Sequence, residues 1–394
     1  MIVLHNARVF TGITVLLNSA VLIEGNFIVD VISQDRLHKR SFNSDTRFYN
    51  LEGLNIAPGF IDTHIHGIHG YGTEDGSLES FLEMSKALTK YGVTGFLPTL
   101  YPQEQLDFLH AIRQGRKAQG QEKGARILGL HLEGPYLSPE KRGVQKAEHF
   151  QGVNLEQANQ IIQAGEESIS LMTVAPELKN MRELALFCNQ HGILLSAGHT
   201  DATYEQMVEG FQAGILHATH MYNAMRNLHH RNPGAVGALL LHKTVSAELI
   251  ADGYHVHPAL IELLVRTKPV DKIILVTDAL KPTQQSQGRL MANDEEVYLD
   301  ELGIFRRKID DVIAGSSLTM NRGVRNLVNF GIPLEQALKM ASSNPADLLS
   351  LKKKRGYLLP GSFGDIVVFD NELNVKLTFV EGSLVYEGAG NFIK

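Results

Sequence analysis

Two histidines one residue apart, His64-Ile65-His66, close an apolar run that begins at Ile56. Residues i and i+2 of a β-strand face the same side, so both imidazoles would project together and could grip one divalent cation. In a chain with 17 histidines such a pair arises by chance often enough to decide nothing alone. Its position carries more weight. Other apolar runs also finish in ligand-type residues: Gly129-Leu130-His131-Leu132 in Glu133, Ser196-Ala197-Gly198 in His199, and Val276-Thr277 in Asp278, while the run from His217 passes through His220. Imidazoles and carboxylates around an open coordination position suit a catalytic zinc or ferrous ion rather than calcium or magnesium. Such an ion lowers the pKa of bound water to about 7, making a hydrolytic nucleophile available at neutral pH. Asp278 then reads as the acid/base, able to take a water proton and pass it to a leaving nitrogen.

A second polar cluster follows His220. It comprises Met221-Tyr222-Asn223-Ala224-Met225 and then His229-His230-Arg231-Asn232-Pro233-Gly234. A guanidinium near exposed turn amides suits a phosphate, although an arginine in a loop is more often surface decoration. Asp252-Gly253-Tyr254-His255 adds polar groups after the next apolar run. His131 shares the strand face of Glu133 and reads as support for the site. His69 sits in a Gly-rich loop and lines the mouth. His5, His38, His110, His191 and His242 read as surface or structural residues.

Residues that converge must be positioned by elements that converge. Eight buried-type runs lie between residues 56 and 278: Ile56–His66, Val93–Leu100, Ile127–Glu133, Leu171–Pro176, Ile193–His199, His217–Tyr222, Val245–Ala251 and Ile273–Asp278. Helical patterns separate most of them, for example Leu78–Tyr91, Glu104–Lys117, Met181–His191 and Tyr204–Ala213. This alternation predicts an α/β fold, a closed parallel (β/α)8 TIM-type barrel whose active site is built at the C-terminal strand ends. An open doubly wound sheet is the runner-up, but it would want a Gly-rich dinucleotide loop after the first strand, and Pro58-Gly59-Phe60-Ile61-Asp62 is not one. A polar excursion follows from Thr283 to Glu296, then further helices up to Leu351. Residues 1–53 and 356–394 both alternate short β-type runs with turn signals, and together they predict one small β-sandwich domain beside a barrel over 54–355.

Composition narrows the function classes. With 37 basic and 43 acidic residues the net charge is −6, so no basic field invites nucleic acid, and Lys352-Lys353-Lys354-Arg355 reads as a solvated turn. The single cysteine, Cys188, allows no internal disulfide and reads as a small core residue. No apolar run reaches the ~18 residues a membrane span needs, and no signal-type segment follows Met1, so a cytoplasmic enzyme is expected.

The combination of His64-Ile65-His66, His131-Leu132-Glu133-Gly134-Pro135, Ser196-Ala197-Gly198-His199-Thr200, His220-Met221-Tyr222-Asn223-Ala224-Met225, Asp252-Gly253-Tyr254-His255 and Ile313-Ala314-Gly315-Ser316 resembles the N-acetylglucosamine-6-phosphate deacetylase family of the amidohydrolase superfamily, over essentially the whole chain. The resemblance implies the barrel and two-ended sandwich, a homodimer, and an amino-sugar phosphate substrate. It implies Glu133, His199 and His220 as the main metal ligands, with His64 and His66 holding a second ion, so one or two divalent ions per subunit. Asp278 would be the acid/base. The main chain at Asn223 and Ala224 would hold the phosphate with Arg231, while His255 would reach the phosphate of the neighbouring subunit. Ile313, Ala314 and Gly315 would line the sugar.

One departure stands out. After Lys141-Arg142-Gly143 the family usually places a small residue and then a substrate-touching His, where this chain has Val144 and Gln145. Glutamine can hydrogen-bond but cannot carry charge. The change is expected to act on rate or sugar preference and to leave the cation chemistry alone. Neighbouring expectations are a cyclic-amide or amino-acid amide hydrolase, which often uses a bridging carboxylated lysine where Glu133 stands here. From a different class comes a non-catalytic sugar-phosphate sensor, against which the intact ligand set with Asp278 argues.

Overall fold

The computed structural model describes residues 1–285, 288–390 and 392. Eight parallel strands within these residues form the barrel: Phe60–Ile65, Val93–Leu100, Leu130–Glu133, Ile169–Val174, Leu194–Ala197, His217–Ala218, Ala247–Ile250 and Ile273–Val276. Every residue of Val93–Leu100 is buried, as expected of a parallel strand covered on both faces. Ladders run from the first strand to the sixth, with Asp62 opposite Phe96, Leu132 opposite Leu100, Val174 opposite Ala197 and Ala197 opposite Ala218. The sixth and seventh strands are joined by the Ser246 N–H to Leu216 O bond (3.1 Å) and the Met221 N–H to Glu248 O bond (2.9 Å). The seventh and eighth pair in register, Ile250 opposite Val276. The circle closes where the Asp278 N–H donates to His64 O at 2.9 Å and Ala279 bridges Ile65.

The helices form where apolar residues recur at helical spacing and a polar side chain caps the start. In Leu78–Leu88 the buried face carries Phe81, Met84 and Leu88, and Ser77 accepts from the Ser80 N–H at its N-terminus. Tyr204–Gln212 starts with a reciprocal Thr203/Gln206 capping box. Leu155–Gly165, Gly234–Leu241, Pro258–Thr267, Met320–Asn329 and Leu334–Ala341 add further helices to the layer. Gly234–Leu241 is apolar all round and buried over Gly234 to Leu240, which removes the amphipathic signal.

The run Ile56–His66, expected to be one barrel strand, is two. Asn55–Pro58 pairs antiparallel with Ile366–Phe369 in the terminal sheet, Ile56 opposite Val368, and only Phe60–Ile65 enters the barrel. Gly59 makes the crossing possible, because a Cβ there would lie 2.1 Å from the Thr94 Cγ2.

Both chain ends build the small domain. Its sheet is continuous, in the order Ser383–Glu387, Val375–Val380, Ile366–Phe369, Asn55–Pro58, Ile2–Phe10, Val15–Glu24, Phe27–Ser33, with Arg47–Asn50 also on Ile2–Phe10. Leu4, Val21, Ile28, Tyr49, Ile366 and Phe379 pack from both halves into one core. The domain is pinned to the barrel by buried charges. Arg355 pairs with Asp365 and Glu381, and Arg126 reaches Glu381 at 2.8 Å.

The polar excursion is not a plain loop. Met291–Ala292, Glu295–Leu299 and Phe305–Arg307 form an antiparallel meander, and Val297, Phe305 and Ala314 pack with Leu280 and Tyr101 over the barrel mouth. Cys188 is buried, and burial pushes its thiol up to about 12, in keeping with a core residue. Among the described residues no helix is long and apolar enough to cross a membrane.

Candidate active site

Each candidate ligand leaves its strand at the same rim. His64 and His66 come from the end of the first strand and Glu133 from the third. His199, His220 and Asp278 each sit two residues beyond a strand, after Ala197, Ala218 and Val276. These last three adopt left-handed backbone conformations, φ 46°, 31° and 49°, as do Tyr222 and Ala224 nearby at 78° and 49°. Such conformations cost non-glycine residues roughly 1–3 kcal/mol each and concentrate at functional sites. Here they turn the chain off the strand so that the side chains point inward.

The convergence is tight. The Nε2 atoms of His199 and His220 each lie 3.0 Å from Glu133 Oε1 and 3.2 Å from each other. On the other side of the same carboxylate, His66 Nε2 lies 3.3 Å from Glu133 Oε2 and 3.2 Å from His64 Nε2. Asp278 Oδ1 lies 3.4 Å from His64 Nε2 and 3.3 Å from His66 Nε2. Donor atoms about 2.0–2.1 Å from a tetrahedral zinc are spaced about 3.3 Å from one another, so both groups have the spacing of a ligand shell. Glu133, with one oxygen in each, stands between them.

The tautomers make the case chemical. His66 Nδ1 faces the Thr99 carbonyl at 3.0 Å, His199 Nδ1 the Lys141 carbonyl at 2.9 Å, and His64 Nδ1 the Glu248 carboxylate at 2.8 Å. Acceptors at Nδ1 require N–H there, so each ring in its neutral form keeps the Nε2 lone pair aimed at other acceptors. Lone pairs and carboxylate oxygens at 3.0–3.4 Å repel unless a positive charge sits among them, so the donor set fits a divalent cation. With no cation in place, a proton supplies that positive charge. Burial works against a charged His64, yet Glu248, Asp278 and Glu133 together raise it to about 10. Burial likewise opposes the carboxylate of Glu133, and His64 and His199 nevertheless hold it well below the ordinary range. For Asp278 burial is again outweighed by His64 and His66, leaving an ionised carboxylate that can accept a proton.

A cleft opens above these groups, lined by Val144, Gln145, Asn223, Ala224, His255, Ile313, Ala314 and Gly315 together with Tyr101, Tyr254 and Leu280. Gln145 is buried, with Nε2 3.2 Å from His199 Nε2. Three expected contributors are placed differently. His255, expected to reach the phosphate of the neighbouring subunit, lines this chain's own cleft. Asp252 stands behind the cleft and holds His255 through an Oδ2 to Nδ1 contact of 2.6 Å. Arg231 is exposed, with Nη1 2.9 Å from the ring of its neighbour His230, and does not line this chain's cleft. The turn that carries it projects outward, which sequence order alone did not reveal.

The comparisons with known proteins can be set against this geometry. The amidohydrolase family model matches residues 55–385, and a model called the NagA composite domain matches residues 1–54. This chain belongs to the N-acetylglucosamine-6-phosphate deacetylase family of amidohydrolases. An N-acetylglucosamine-6-phosphate deacetylase from Vibrio furnissii is 34% identical over 85% of this chain and 84% of its own. An N-acetylgalactosamine-6-phosphate deacetylase from Escherichia coli O157:H7 is 33% identical over 84% of this chain and 87% of its own. The crystal structure of N-acetylglucosamine-6-phosphate deacetylase from Pasteurella multocida superposes with a TM-score of 0.91 at 29% identity, covering 98% of this chain and 99% of that one.

Three residues of this deacetylase-family site escaped the sequence reading. Tyr101, the residue after the second strand, stacks on His66 with ring centroids 3.7 Å apart. Asp62 accepts from the Thr277 hydroxyl at 2.6 Å and the Thr277 N–H at 3.2 Å, tying the first strand to the eighth. Burial pushes Asp62 up to about 7 despite those bonds. Glu248 lies beneath His64 and His220. The available signal for both acids was a carboxylate inside an apolar strand run, a placement that demands buried donors. His131, by contrast, takes the supporting place expected of it. Its Nε2 is 2.8 Å from Thr173 Oγ1 and its ring packs 4.7 Å from His64, and burial brings it down to about 3.

Proposed function

We propose that this protein is a divalent-cation-dependent hydrolase that converts N-acetyl-D-glucosamine 6-phosphate to D-glucosamine 6-phosphate and acetate, in amino-sugar catabolism. The observation that carries this reading is the meeting of His199, His220 and Glu133 within 3.0–3.2 Å of one another, with Asp278 beside them at the floor of the cleft. His199, His220 and Glu133 would hold one zinc or ferrous ion, and His64 and His66 a second. Bound there, a divalent cation supplies polarisation of an amide carbonyl and a lowered pKa for adjacent water.

The chain's own residues do the rest. Asp278 takes the proton of the attacking water and hands it to the sugar nitrogen as the C–N bond breaks, so acetate and the free amine leave. Ile313, Ala314 and Gly315 bound the sugar, and Val144 and Gln145 close the side next to His199. The main chain at Asn223 and Ala224 faces the phosphate, helped by His255, whose imidazole the bond and charge of Asp252 push up despite burial. Holding the phosphate away from the reacting carbon orients the amide. Arg231 meets a phosphate only in an assembly, so its assigned role depends on the homodimer we also propose. A cytoplasmic location completes the reading.

The test is acetate release by purified protein from N-acetylglucosamine 6-phosphate, beside elemental analysis of the same sample. Absence of acetate release from a sample loaded with zinc or iron rules the reading out. A galacto-configured substrate is the second reading, favoured by the Escherichia coli O157:H7 relative, which matches nearly as well as the gluco-named one. Running both sugar phosphates and the unphosphorylated sugar in one panel separates them.

A further inference from the structure

Four imidazoles face the proposed cation sites, and they are not held alike. His66 and His199 give their Nδ1–H groups to main-chain carbonyls, Thr99 O and Lys141 O, which any sequence at those positions would supply. His64 and His220 have no such support. His64 Nδ1 depends on a side chain, and His220 Nδ1 is buried with no hydrogen-bond partner among the described residues.

Both are held by one residue. Glu248, in the middle of the seventh strand and 0% exposed, receives the His64 Nδ1–H on Oε2 at 2.8 Å, and the same oxygen accepts the main-chain N–H of His220 at 3.2 Å. The second bond bears on the left-handed bend at His220, φ 31°, which aims that ring at Glu133. On its other side, Glu248 Oε1 lies 3.4 Å from His217 Nε2 and 3.5 Å from Thr63 Oγ1, so both oxygens are occupied and the carboxylate cannot turn.

The geometry points to Glu248 as the positioning residue for both cation-ligand groups, fixing the tautomer of His64 in one and the backbone bend of His220 in the other. The inference rests on the cation reading above. Carboxylates behind metal-ligating histidines set ring orientation and raise ligand basicity, and their loss costs about 10–100-fold in metal affinity. Glutamine in this place can offer an oxygen to one side only. If its NH2 turns to His64 it imposes the opposite tautomer, with a proton on Nε2 where a ligand lone pair is needed. If its oxygen turns there instead, the negative charge is still lost.

The experiment titrates metal-free protein with Zn2+ and follows both calorimetry and the rise in Tm on zinc addition. It compares wild type with Glu248→Ala and Glu248→Gln. Both variants are expected to bind at least about tenfold more weakly, or to take up fewer ions, and to gain less Tm from zinc. A purely structural role would lower the metal-free and zinc-loaded Tm by the same amount and leave affinity alone. Zinc number unchanged and affinity within threefold of wild type in Glu248→Ala overturns the inference. Should that variant not fold, the same threshold applied to Glu248→Gln decides. Wild-type protein that binds no zinc or ferrous ion overturns the cation reading and this inference together, whereas undiminished binding in the variants removes only the role of Glu248.

Discussion

Two of the places where the chain buries charge are built on opposite plans. At the junction of the barrel with the terminal sheet, Arg355 lies between Asp365 and Glu381, and Arg126 also reaches Glu381, so two cations answer two anions. At the barrel mouth, Glu133, Asp278 and Glu248 face histidines whose tautomers present lone pairs, and none of the described ion pairs brings a lysine or arginine to them. Burying a charge is costly unless it is paired. The junction meets that cost from its own sequence and is complete when folded. The mouth meets it only through protons on its histidines, which a divalent cation would displace.

Removing the cation should therefore break the mouth and spare the junction, and it should give the largest effect. Exhaustive chelation is expected to abolish deacetylation by at least about 10³-fold, with recovery on adding Zn2+ or Fe2+. The Tm should fall as metal is withdrawn, because a cation held by the folded site stabilises the folded state alone. Activity that survives with metal undetectable by elemental analysis would contradict the contrast.

Asp278→Asn comes next, with kcat expected to fall about 10²–10⁴-fold while the ion at His199, His220 and Glu133 is retained. Turnover near wild type in that variant removes Asp278 from proton transfer. The junction should respond in the reverse sense. Arg355→Ala leaves Asp365 and part of Glu381 unpaired, and it is expected to cost about 3–5 kcal/mol of stability in urea unfolding with metal content and KM unchanged. A fall in metal content there, without unfolding, would show that the two clusters are not independent.

The smallest effect concerns Gln145, which touches His199 at 3.2 Å and lines the cleft. Gln145→Ala removes one hydrogen-bonding group and is expected to change kcat/KM by roughly 2–10-fold, unequally for gluco- and galacto-configured substrates. Equal change for both sugars would place Gln145 on the cation side of the cleft rather than the sugar side.

Much of this was legible beforehand. Strand alternation, the polar character of strand ends and the kinship of the two chain ends are local or periodic properties, and the barrel, the cluster of imidazoles and carboxylates at its rim and the shared terminal sheet followed from them. Local reading failed where periodicity carries no signal. It ran Asn55–Pro58 and Phe60–Ile65 together, since both are fully buried and only the close approach of Thr94 to Gly59 marks the break. The all-apolar helix Gly234–Leu241 carries no amphipathic signal for the same reason.

By itself, the sequence determined which side chains would reach the barrel mouth and what chemistry their types allow, because a strand's period of two and its end position fix where a residue points. Tertiary structure alone decided what stands behind them. Glu248 meets His64 across 184 positions of chain, Asp62 meets Thr277 across 215, and Arg231 turns away from the cleft its neighbours line. The reason is physical. A buried carboxylate needs donors, and which donors it finds depends on strand pairing around a closed barrel, a relation that no local pattern encodes.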